Sequence, residues 1–194
     1  GINNIAIGTN AMDALTSGYC NVAIGRNAMG AATSTNNSVA LGHLALGSGA
    51  LTGAFNTAIG SSALNATTSG CRNVAIGPST LGTSTTGCLN VAIGNGPMGG
   101  AIVTGINNIA IGNATMDALT TGADNVAIGR DAAGATTIGC YNVAIGCGAL
   151  KSSTTSSDNR GQIAIGQMAM GTGVATGSMN IAIGCSAGKN ITSG

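Results

Sequence analysis

The apolar positions of this chain fall in short alternating runs such as Ile5-Ala6-Ile7 and Val22-Ala23-Ile24, each opened by Asn and closed by Gly. Period-two alternation and β-branched residues are strand signals. The run recurs eleven times, with its Gly at 8, 25, 42, 60, 77, 94, 112, 129, 146, 166 and 184. Successive copies lie 17 or 18 residues apart, apart from one step of 20 between Gly146 and Gly166. A βαβ unit needs about 30 residues, and a leucine-rich repeat roughly 20–29. The short period predicts a solenoid with one repeat per coil.

Numbering each copy from its Gly exposes fixed columns. Position −1 is Ile, or Leu41 once, and position −3 is Val, Ile or the single Thr57. Position −4 is Asn except at Ser38 and Gln162; position −7 is Gly in nine copies. Positions +3 and +4 carry a small residue and then usually Met or Leu, as in Ala28-Met29 and Ala63-Leu64. These columns predict a coil of two short strands and two turns. Asn-Val-Ala-Ile is the first strand, Ala-Met or Ala-Leu opens the return strand, and Thr-Ser-Gly at 68–70 or Thr-Thr-Gly at 85–87 makes the second turn. Coils stacked in register sit about 4.8 Å apart, so eleven make a rod of roughly 50 Å. Stacked Asn side chains are expected to form an amide ladder.

The Val and Ile columns are expected to face inward with the Met/Leu column opposite. Position −2 is Ala in every copy: Ala6, Ala23, Ala40, Ala58, Ala75, Ala92, Ala110, Ala127, Ala144, Ala164 and Ala182. On that arrangement the alanines form an outward apolar stripe, and such a stripe implies a covering partner. The expectation is that a second copy of the chain covers it, only Ala allowing so close an approach. A flattened coil that takes the alanines into its own interior is the alternative.

Composition excludes several classes. The chain of 194 residues holds 34 Gly, one Phe, two Tyr and no Trp, and 6% of it is charged. A core built without aromatics is thin. Gly, Asn and Ser interrupt every apolar run well short of the ~20 residues that span a bilayer, so no membrane insertion is expected. A net charge of +1 offers no footprint for nucleic acid. With neither leader nor initiator Met in view, residues 1–194 are expected to be one repetitive segment of a longer fibre.

Asn-Val-Ala-Ile-Gly, followed by x-x-Ala-Leu and then Thr-Thr-Gly, resembles the head repeats of trimeric autotransporter adhesins and the related repeats of phage and viral tail fibres. The resemblance runs through all eleven coils. It implies a left-handed parallel β-roll, three chains side by side, and attachment to a host surface through a glycan or protein receptor. The coil here is longer than in those repeats, and six cysteines are present. Adhesins exported through an oxidising compartment usually avoid Cys, which favours a fibre assembled in a reducing cytoplasm, as viruses do.

Candidate chemistry is sparse, and no catalytic residue, cofactor or metal is expected. Cys71, Cys88 and Cys140 share position −6, while Cys147 and Cys185 share position +1. Cys71 and Cys88 are stacked neighbours, which permits a disulfide by distance, although Cys is also a small apolar filler. No Cys-x-x-Cys occurs, and His43 is the one histidine, which argues against zinc. Gly94-Asn95-Gly96-Pro97-Met98-Gly99 matches a dinucleotide fingerprint by accident of Gly content, for no helix follows it. The one irregular segment is 151–161, where Lys151, Asp158 and Arg160 cluster; insertions in solenoids map to protruding loops, so this is the candidate receptor contact, with a tolerated insertion of no binding role as the alternative.

The expectation from the sequence is therefore an all-β parallel solenoid of about eleven coils, in a side-by-side homotrimer. It would serve as a non-enzymatic structural and adhesive fibre segment on a virion or otherwise in the extracellular space. A bacterial cell-surface adhesin with the same fold is the nearest alternative. Ice binding is the alternative of another class, although the Thr positions drift from coil to coil and form no flat Thr-x-Thr rank.

Overall fold

A computed structural model describes residues 1–152, 160–173 and 177–191. Eleven strands of three residues, from β1 (Ile5–Ile7) and β2 (Val22–Ile24) through β5 (Val74–Ile76) and β6 (Val91–Ile93) to β11 (Ile181–Ile183), form one sheet in strict chain order. Every pairing is parallel, and like stacks on like: Val22 on Val39, Ala23 on Ala40, Ile24 on Leu41. The fold is an all-β parallel solenoid, and no helix occurs among the described residues.

The closing Gly is required twice over in every strand but the last. All eleven have φ between 123° and 139°, a region that L side chains rarely adopt. A Cβ on Gly8 would also sit 2.7 Å from the Gly25 carbonyl oxygen of the next coil.

The expected return strand does not form. In its place the chain runs through interlocked turns. After Gly25, Ala28 N–H donates to Gly25 O at 3.2 Å and Gly30 N–H to Asn27 O at 3.1 Å, both within the coil. The intervening amides reach outward instead: Asn27 N–H donates to Thr9 O at 2.9 Å and Met29 N–H to Ala45 O at 2.9 Å. Asn27 and Met29 have φ of 56° and 50°, the positive value that the third residue of a type II turn needs. Ala-Met reads as the start of a strand because its apolar pattern resembles one, but here the pattern marks two consecutive buried residues on a turn.

Position +4 sustains this conformation without Gly in ten coils, with Met12, Leu46, Leu64, Leu81 and Met116 among them. A left-handed L residue costs about 1–2 kcal/mol. Fully burying a Leu or Met returns roughly 1.5–3 kcal/mol. Burial wins, and these side chains are the largest in the core.

Opposite them lies the Ala column, which corrects the expected orientation of the strand. Ala23, Ala40, Ala58, Ala75, Ala92, Ala110, Ala127, Ala144 and Ala164 are 0% exposed inside the single chain, Ala182 is buried, and only Ala6 in the first coil is exposed. The alanines share one cluster with the Met/Leu column. They therefore cannot be the covered stripe between two chains. The reason is volume: Met and Leu fill the flattened coil from the turn wall, leaving room for a methyl group on the sheet wall. Val and Ile are thereby turned outward.

The Asn ladder forms as the stacking predicts. Asn90 shows the unit: its N–H donates to Asn73 Oδ1 at 3.0 Å, and its Nδ2 to Gly105 O at 2.9 Å. Its own Oδ1 accepts from Asn108 N–H at 2.9 Å and from Asn108 Nδ2 at 3.1 Å. Ser38 and Gln162 keep the chain of bonds intact, each receiving and passing on a link.

Two expectations follow. Asn90→Ala strands a buried amide and a buried carbonyl, and should lower stability by roughly 2–3 kcal/mol in urea titration. At exposed Ser79, with φ 54°, Ser79→Gly should match or exceed the parent chain in thermal melting. Ser79→Val, β-branched in a left-handed position, should lose more than about 1 kcal/mol.

Candidate functional site: the outer face of the sheet

With Ala inside, the outer face of the sheet consists of two parallel ranks, position −3 and position −1. One is Val or Ile throughout except Thr57, the other Ile throughout except Leu41, and neither holds a charged residue. Each side chain is shielded above and below by its own copies, yet keeps a free side. Ile24 is 39% exposed, Ile128 37% and Ile109 37%, and the mid-rod valines are half-buried. Strands about 4.8 Å apart and ranks about 7 Å apart give a flat apolar strip of roughly 50 by 12 Å, about 600 Å². Contiguous apolar patches of that size mark interaction sites. Position −5, left-handed in every described coil, adds exposed Phe55, Leu89 and Tyr141, with the Arg72 guanidinium 5.5 Å from the Phe55 ring centre.

The sequence missed this face because alternation alone does not say which side of a strand is buried. The signal that could have found it was volume: the larger residues occupy two ranks and the smallest occupies one. A narrow coil already holding Met or Leu has room for only the smaller set.

The other candidates fall elsewhere on the rod. Lys151 Nζ pairs with Asp131 Oδ2 at 3.2 Å, and Arg130 reaches the same carboxylate at 4.0 Å. Both cations are well exposed, so these pairs contribute little. Lys151, Asp117 and Asp131 rim a shallow open hollow of about 280 Å³ above Gly134. Arg160 is exposed and pairs through its backbone with Cys140. Asp158 lies outside the described residues. Lys151 and Arg160, the two described members of that cluster, are engaged with different partners, Asp131 and Cys140.

Cys71 and Cys88 do come together, with Sγ atoms 2.7 Å apart and Cys71 N–H donating to Cys88 Sγ at 3.0 Å. Burial first, and the hydrogen bond with the Cys71 thiol second, push the Cys88 thiol above the usual cysteine range. The remaining cysteines have no Cys in the same column of an adjacent coil: Cys147, for one, stacks by Arg130, whose Nη2 lies 3.2 Å from its sulfur. No group of three or more His, Cys, Asp or Glu comes together among the described residues. No helix among them is long and apolar enough to cross a membrane.

No protein-family model, curated protein or solved structure matches this chain.

Inside and outside can be separated by adjacent substitutions. Ala92→Glu should unfold the chain, because a carboxylate there is buried without a partner. Ile93→Glu, one residue on, should leave the single chain folded with its sheet spectrum retained, because position 93 faces away from the chain's own core. The two midpoints, followed by circular dichroism, check the orientation directly.

Proposed function

We propose that this chain is a non-enzymatic structural fibre segment that assembles side by side with copies of itself. The single observation that carries this is the pair of uncharged ranks on the outer sheet face, Val or Ile in every coil but for Thr57 and Leu41. Such a strip is flat, repeats every coil, and matches itself, so a second copy is the partner whose shape and chemistry fit it along its whole length. Three chains turning their sheets toward a common axis would cover every strip in a closed arrangement, and the resemblance to trimeric adhesin and tail-fibre repeats favours that number. The interface then lies on Val and Ile, with Ala keeping each coil thin behind it.

The fibre role extends to attachment at a host surface, as a virion fibre or as a bacterial adhesin. Support for this comes from the resemblance and from the position of the charged hollow near Lys151, on turns away from the strands. Ice binding finds less support. The outer ranks are Val and Ile, and the Thr16, Thr68 and Thr120 hydroxyls donate to the Thr carbonyls of the next coil at 2.9, 3.1 and 3.0 Å.

Sedimentation equilibrium tests the assembly. The parent chain should sediment at a multiple of 18.4 kDa, with three as the expected multiple. Ile59→Glu, Ile93→Glu and Ile128→Glu combined, placed in alternate coils so that the new charges do not stack, should reduce the mass to one chain and retain the sheet spectrum. A parent chain that remains at 18.4 kDa at all concentrations would count against the assembly. Labelled rods that assemble yet bind no cell or glycan surface would leave the fibre without the attachment role.

A further inference from the structure

We propose that Cys71 and Cys88 are a disulfide-forming site, a covalent link across one coil–coil junction that closes when the chain meets an oxidising thiol–disulfide pool. The two residues occupy the same position in consecutive coils, just ahead of β5 and β6, which pair Val74 on Val91. The backbone beside them is tied across the junction, Leu89 N–H donating to Cys71 O at 3.0 Å. Parallel register sets their Cα atoms about 4.8 Å apart, inside the ~4.4–6.8 Å that a disulfide spans. The side chains complete the geometry: Cys71 N–H holds Cys88 Sγ at 3.0 Å, and the two Sγ atoms are 2.7 Å apart. Both thiols are free and half-buried, within reach of a small reagent. Cys20, Cys140, Cys147 and Cys185 stack on residues other than Cys, so only this pair is placed to close.

The chemistry is exchange with a low-molecular-weight disulfide, R–S–S–R. One cysteine loses its proton to solvent and attacks as thiolate, forming a mixed disulfide and releasing R–S⁻, which takes up a proton. The second cysteine, also deprotonated, attacks the protein sulfur of that mixed disulfide and expels the second R–S⁻. Two cysteine thiols are oxidised and one R–S–S–R is reduced to two R–SH. The product turns the coil between residues 71 and 88 into a covalent ring. A solenoid opens junction by junction, and this junction would no longer open.

Trypsin makes the test unambiguous. Cleavage after Arg26, Arg72 and Arg130 separates peptide 27–72, whose cysteine is Cys71, from peptide 73–130, whose cysteine is Cys88. The folded full chain is incubated with oxidised glutathione, quenched with N-ethylmaleimide, denatured, digested and mapped by mass spectrometry. The expected result is a linked 27–72/73–130 species that separates on reduction and is absent from Cys88→Ser. Oxidation should raise the melting temperature of the parent chain by roughly 5–10 °C and leave that of Cys88→Ser unchanged. The proposal is overturned if the two peptides stay separate while exposed Cys20 and Cys185 carry glutathione. Random pairing among all six cysteines, or a melting temperature unmoved by a confirmed link, overturns it equally.

Discussion

The structure depends on one constraint: each coil must offer its backbone to the next at the spacing of a parallel sheet, over nearly its whole perimeter. The strands satisfy this in the usual way. The turn run satisfies it differently, by sending alternate amides across to neighbouring coils and returning the others to their own. A residue therefore meets its own counterpart above and below, and each column admits only what stacks on itself. Gly at position 0 stacks because no Cβ meets the carbonyl beyond it. Asn stacks because an amide offers a donor to one side and an acceptor to the other. Charge stacks badly on like charge, which accounts for a composition that is 6% charged.

Within this constraint, stability comes from local exchanges whose signs are clear. Left-handed Met and Leu are unfavourable as backbone and favourable as core, and the core term is larger. The buried Asn residues would be costly alone, but nearly every donor and acceptor in the ladder is used; the exception among the described residues is Asn180 Nδ2. A core of Ala, Met and Leu without aromatics then suffices, since each coil is only one side chain thick on either wall.

The repeat, the parallel register, the closing glycines and the Asn ladder were legible because each is a column property that eleven copies display together. Two features were not legible. Val-Ala-Ile alternates equally well with either face inward, so Ala75 reads as surface until the space beside Leu81 is considered. Ala28-Met29 reads as a strand because its apolar pattern carries no sign of φ, and Met at 50° contradicts ordinary turn preferences. The Lys151–Asp131 pair joins residues 20 apart in the chain, a partnership that the charges near Lys151 in the sequence do not reveal.

The longer coils carry a further consequence. In the coil after β3 (Val39–Leu41), the additional residue is taken up around Gly49 and Leu51, where Leu51 N–H donates back to Gly49 O at 2.7 Å and its side chain enters the core. Val103 is buried in the corresponding stretch of another long coil. In both cases the strands on either side keep their register. Length can thus be added at one corner of the rod while the opposite wall remains straight. A gene growing by duplication and drift would have one edge free to vary in size and display, and one edge held to a constant ruling, as on a measuring stick notched along a single side.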